Sequence, residues 1–203
     1  MAAPAWLAAL EPLAPDVIAA WRTVDDEEPT IRGVAFRREI RRRAGPGSAG
    51  SILAQQEAIA DALGAVLTTM PESLLRAPGG EGDWNVAQAF AHTTGARRWL
   101  AHAAALAARG EWPAEAPVVV PGVPGPADAS LETLLTLLAK SRRSLATSAE
   151  AIAGHEAEPC PLDHPLVGHL RCGEWLLFVG IHDLMHLRQL HRLAAGGDAA
   201  DDG

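Results

Sequence analysis

Tyrosine is absent from this 203-residue chain, lysine occurs once, and only nine residues are aromatic, six Trp and three Phe. A core built mainly on aromatic packing is therefore excluded. With 48 % apolar residues and forty-one alanines, small helix-favouring side chains carry the fold. Positive charge is also short: sixteen Arg and one Lys stand against twenty-five acidic residues, for a net charge of −8 and a pI near 5.4. That balance argues against nucleic acid as the main partner. Cysteine occurs twice, at positions 160 and 172, a spacing that fits neither a disulfide framework nor a zinc ribbon or CxxC motif, so a cytoplasmic location is expected. No apolar run reaches spanning length. The opening stretch MAAPAWLAALEPLAPDV has no basic leader and is broken by Pro4, Glu11, Pro12, Pro15 and Asp16, so neither a signal peptide nor a membrane anchor is expected.

What is present is helical periodicity cut by strong breakers. Residues 1–45 read as a helical extension that ends in the basic run FRREIRRR at 36–43 and the linker-like AGPGSAG. From Ser51, a candidate N-cap, apolar residues recur at helical spacing until Pro71. Gly79, Gly80 and Gly82 mark a turn, and Asp83 is the candidate cap of a second long helix over about 84–109. Residues 111–127 carry five Pro and two Gly, so they form a long crossover loop. A third helix is expected from Ser130 to about Ala153 and a fourth from about Cys172 to Ala195, the latter apolar on nearly every face through its first half and hence central. Together these give an all-α fold: a four-helix bundle over 50–195 with a long crossover, preceded by the extra helical segment 1–45 and followed by a short acidic tail, 196–203, expected to be disordered.

Five of the eight histidines, His164, His169, His182, His186 and His191, crowd into residues 164–191. His182 and His186 are four apart on a helix, about 40° apart around its axis, so both rings can reach one ion. Neutral imidazole is the commonest protein metal ligand, and the pair lies in the most apolar stretch of the chain, where an imidazole without a partner would be expensive to bury. The alternatives are core histidines satisfied by backbone or carboxylate, or a helix turned so that both face water. For a third ligand the best candidate is His92, in the middle of the second helix and one turn beyond Gln88; His102 lies about 80° off that face.

The segments GDWNVAQAFAH and HPLVGHLRCGEWLLFVGIHDLMHLRQL, joined through the Pro-rich connection, resemble the DinB/YfiT superfamily of four-helix metalloproteins. The marks of that family are a Trp opening the second helix, a His two turns later, and a His-x-x-x-His followed by Gln on the fourth; here they fall on Trp84, His92, His182, His186 and Gln189. The resemblance covers about residues 50–195 and leaves the first 45 unmatched. It implies a divalent cation held by His92, His182 and His186, with Zn2+ first and Ni2+, Fe2+ or Mn2+ as alternatives, and with positions left open for water or substrate. It also implies a thiol-dependent enzyme: some relatives are transferases of low-molecular-weight thiols such as bacillithiol or mycothiol, and others are maleylpyruvate isomerases. Many members have no established activity, so a non-catalytic, stress-associated metal-binding or interaction bundle is the second expectation.

Around that core, Gln189 and Gln88 are candidates to orient a ligand or touch substrate, and Trp99 and Phe178 to line a pocket over the ion, each weighed against a simple capping or core role. Asp183 and Glu174 are candidate proton acceptors, with a salt bridge or solvent the preferred reading of Asp183 and Arg188 its nearby partner. The cluster Arg37, Arg38, Arg41, Arg42 and Arg43 reads as a solvated or partner-facing helix that Asp25 to Glu28 can neutralise. Cys160 and Cys172 read as unreactive thiols. The expected partners are a small-molecule substrate and a second copy of the chain in a homodimer, with neither nucleic acid nor membrane. Five of the nine aromatic residues, Trp84, Phe90, Trp99, Trp175 and Phe178, lie on the two helices expected to carry the ligands, which predicts aromatic bulk gathered at one site.

Overall fold

Apolar residues at spacings of three and four run through four stretches of 21 to 23 residues, and each stretch is a helix. The computed structural model describes residues 4–25, 29–78, 84–115, 122–164 and 167–195. Among them are α1 (Ala5–Leu10), α2 (Pro15–Asp25), α3 (Pro29–Arg43), α4 (Ala49–Thr69), α5 (Val86–Ala108), α6 (Leu131–Ile152) and α7 (Cys172–Ala194), with a 3-10 turn at Glu72–Arg76 and no β-strand. The glycine turn at 79–82, the cap expected at Asp83 and the acidic tail 196–203 lie outside the described residues. No described helix is long and apolar enough to cross a membrane.

The helix starts show which local signals won. Ser130 caps α6 as expected, its side chain accepting from the Thr133 amide. On α5 the cap is Asn85. Its Oδ1 accepts from Gln88 N at 2.9 Å, and Gln88 Oε1 accepts from Asn85 N at 3.0 Å, closing a capping box. Helix α4 begins at Ala49, so Ser51 is already inside its first turn, with its hydroxyl donating to Ser48 O at 2.9 Å. The Ala49 amide instead donates to Oε1 of the buried Glu156, 107 residues away. A distant carboxylate at a helix N-terminus has replaced the local cap.

Helices α4 and α5 each pack against both α6 and α7, so α4 with α5 and α6 with α7 are the diagonal pairs of the bundle. The described part of the N-terminal segment lies against this bundle: α2 packs on α3, α4 and α7, and α3 on α7. Gly180 allows the close approach of α2, since a Cβ there would sit 2.9 Å from Val17 Cγ1. Gln55 of α4 fastens the same helix by accepting from the Asp16 and Val17 amides at 2.8 and 3.2 Å. With neighbours on four sides, α7 is the central helix, which explains why residues 175–181 are all buried.

The arginines of α3 turn out to be engaged. Arg43 pairs with Asp16 and Glu39, Arg42 with Glu39, and Arg41 with the buried Glu174, while Arg37 donates to the carbonyls of Val167 and His169. Asp25 to Glu28, the partners suggested by sequence, lie outside the described side chains.

Candidate metal centre

The helix period alone brings His182 and His186 together, and packing brings the third ring. Their ring centroids are 4.6 Å apart, and the His92 ring on α5 lies 5.3 Å from each. One ring nitrogen from each of the three falls within 4.8 Å of the others, close enough for a single ion to reach all three. His186 is buried; His92 and His182 are partly exposed. His102 is exposed and His191 is stacked on Trp6 at 5.2 Å, so neither joins the group.

Hydrogen bonds to the outer nitrogens prepare two of the rings. His92 Nδ1 lies 3.0 Å from the Val123 carbonyl, and His186 Nδ1 lies 3.0 Å from Gln189 Oε1. Both oxygens can only accept, so Nδ1 carries the proton and the lone pair of each ring is left on Nε2. This outer hydrogen bond fixes the tautomer and orientation that a ligating histidine needs. His182 Nδ1 is buried without a hydrogen-bond partner among the described residues, a polar atom in want of a partner within the cluster itself. Burial, then the nearby His186, His92, His164 and Arg97, push the His182 pKa well below its ordinary value and keep the ring neutral. A converging set of three imidazoles suits a divalent cation.

The surroundings differ from expectation in several places. Gln189 meets His186 as anticipated, but Gln88 is committed to the α5 capping box. Phe178 packs edge-on to Trp175 at 5.5 Å, His164 at 5.4 Å and Phe36 at 6.3 Å, an aromatic cluster of its own between α7 and α3. Trp99 is half-buried against the core and makes none of the described ring contacts with the three histidines. The aromatic ring that does pack on the site is Trp84, 5.1 Å from His92. The scarce aromatics are therefore divided among several clusters and do not gather at one site. Asp183 is fully buried and pairs with Arg97 at 2.7 Å, while Arg188 lies over the Trp21 ring. Burial pushes the Asp183 carboxyl up to about 7, with Arg97 pulling the other way. Glu174 caps α7 through the Arg171 amide and pairs with Arg41. Both cysteines are buried and free, and burial pushes Cys160 to about 11 and Cys172 to about 12, which leaves them unreactive thiols.

Two contributors carry no signature in sequence. Val123 acts through a backbone carbonyl, and it is delivered by the crossover loop. Gly125 beside it donates its amide to Gln88 O at 3.3 Å, and a Cβ there would come within 2.2 Å of Ala91 Cβ. Only glycine lets this loop lie so close to α5.

The sequence model of the DinB superfamily matches residues 55–190, well over half of the chain. The chain belongs to the DinB superfamily. No curated protein and no solved structure matches it. The matched span of this DinB-superfamily chain contains α5, α6 and most of α4 and α7, and with them all three histidines. Family and geometry together fit a metal-binding protein, with His92, His182 and His186 able to hold the ion.

Proposed function

We propose that this chain is a metal-dependent enzyme in which His92, His182 and His186 hold one divalent cation, with Zn2+ the first choice and Ni2+, Fe2+ or Mn2+ the alternatives. The observation that carries this reading is the pair of fixed tautomers: Val123 O and Gln189 Oε1 engage Nδ1 of His92 and His186, which puts the lone pair of each ring on Nε2. Three protein ligands with further positions open are the donor set of a catalytic site. A cation bound there would draw the proton from an incoming thiol or water at neutral pH.

A low-molecular-weight thiol such as bacillithiol or mycothiol is the proposed nucleophile, attacking a small electrophilic substrate as in a thiol S-transferase. Asp183 is held by Arg97, and Glu174 by Arg41 and the α7 cap, so neither is free to serve water as a general base. That favours a thiol over hydrolysis. Trp84 offers the substrate an apolar wall beside His92. The reading carries with it a cytoplasmic location, a homodimer, and no role for nucleic acid or membrane. The same engagement of both carboxylates favours the second reading, a non-catalytic, stress-associated metal-binding or interaction bundle.

Metal analysis of the purified protein tests the base of the proposal. Stoichiometric metal, or a higher melting temperature with Zn2+, Ni2+, Mn2+ or Fe2+, is the expected result; neither would sink it. Conjugation of bacillithiol, mycothiol or glutathione to a model electrophile then separates transferase from binding module.

A further inference from the structure

Arg97 and Asp183 form an ion pair at 2.7 Å with both side chains fully buried. It lies inside the bundle between α5 and α7, the two helices that carry the histidines. The pair is incompletely satisfied: Arg97 Nε and Nη2 and Asp183 Oδ1 have no hydrogen-bond partner among the described residues. Such a pair is a poor source of stability, because well-packed apolar side chains of similar volume are often as stabilising or more so. What it does supply is a directional contact between two helices.

That contact matters because of what surrounds it. Eight of the fourteen buried residues of α5 are alanine. Its large buried apolar residues are only Val86, Phe90 and Leu100, so α5 has few knobs to lock its axial position, and neighbouring registers differ little in packing. A buried polar contact distinguishes among them sharply, since any slip leaves two charges buried apart. Its position is also telling. Asp183 directly follows His182, and Arg97 lies five residues beyond His92, about 7.5 Å along the helix. The contact is thus made within about two turns of the place where the three rings must converge.

We propose that the Arg97–Asp183 pair is a register pin that fixes α5 on α7 at the height where His92 meets His182 and His186. The proposal rests on the reading of those histidines as a metal site, whose bond lengths tolerate errors of only about 0.2 Å. Arg97 and Asp183 are positioning residues: they act on the site through the helices that bear it.

The test replaces both partners at once. In Arg97→Met/Asp183→Leu the melting temperature should hold or rise, while Zn2+ affinity by chelator competition falls about 10- to 100-fold, the range seen when outer support of a metal ligand is lost. A crystal structure of the metal-free double variant should show the His92 ring displaced from its 5.3 Å separations. Wild-type affinity together with unchanged ring spacing would overturn the proposal. If the wild-type protein binds no metal, the metal reading fails by itself, and the ring spacing alone decides the register pin. Should the double variant not fold, Asp183→Glu takes its place. The pair is kept but lengthened by one methylene, so displaced rings and several-fold weaker Zn2+ binding are expected, and unchanged spacing and affinity overturn the inference.

Discussion

Helices α5 and α7 both contribute to the candidate site, yet they are built on opposite plans. Helix α7 buries Trp175, Leu176, Leu177, Phe178, Val179, Ile181, Leu184, Leu187 and Leu190 and no alanine; α5 buries eight alanines. The bulky helix is locked on every side by α2, α3, α4 and α5, and its His-x-x-x-His pair is organised by helix geometry alone. The smooth helix must have its one histidine delivered from outside: a capping box sets its start, the crossover loop supplies the His92 acceptor, and Arg97 reaches across to Asp183. Half of the site is thus local and half depends on tertiary structure.

The largest expected effect breaks the local half. His186→Ala removes a buried ring and one of two donors on α7, and metal content measured by plasma mass spectrometry should fall to background. Normal content in that variant would mean that the ligand set is wrong. Next comes a contrast in stability. Leu177→Ala on α7, at a fully buried position, should cost about 2–5 kcal/mol in urea denaturation. Ala104→Gly on α5, equally buried, should cost about 1 kcal/mol, chiefly through helix propensity. Equal losses at the two positions would refute the division into a locked and a smooth helix.

The same division explains what was legible in the sequence. The four long helices stand out because a 3.6-residue apolar period and its breakers are local signals, and His182 with His186 is visible for the same reason. His92 as third donor stands out by its mid-helix position, and the family resemblance points to the same residue. The cap at Ser51 misled because the Ala49 amide is satisfied by Glu156, remote in sequence, while at the start of α5 the Asn-x-x-Gln box supplies the cap. Asp183 looked like a partner for Arg188 because the two share a helix. The real pairing spans 86 residues, and no periodicity records a contact of that kind. Val123 was invisible in principle, since any residue has a carbonyl.

Smaller effects test the two outer hydrogen bonds against each other. Gly125→Ala forces a Cβ into Ala91, so the loop must lift and His92 loses its acceptor. Zn2+ affinity should fall about 10- to 100-fold with little change in melting temperature. Gln189→Leu removes the corresponding bond on α7, but there the neighbouring side chains still hold the His186 ring, so the loss should be about 10-fold. A larger loss for Gln189→Leu than for Gly125→Ala would show that α7 needs outside help as much as α5 does.

The finest distinction is in pH dependence, and it belongs mostly to α7. Burial lowers the pKa of His182 and His191 on that helix and of His164, whose ring packs on Trp175 and Phe178. Each is therefore protonated more readily in the unfolded chain, near the ordinary 6.5, than in the native one. The stability that these neutral rings contribute is complete above 6.5 and is lost as pH falls through that value. Asp183 works in the opposite sense: its native pKa, about 7, lies above the ordinary 3.8, so its contribution is complete below 3.8 and is lost as pH rises towards 7. With a chelator present, so that metal binding adds no pH dependence of its own, three histidines against one carboxylate should make the melting temperature fall from pH 7 to pH 5. His191→Phe keeps a ring for Trp6 to stack on and removes one titrating group, so the fall should become shallower. If its slope matches that of the wild type, the stacked His191 titrates alike in both states, and the pH response must be assigned to His182 and His164, close to the site.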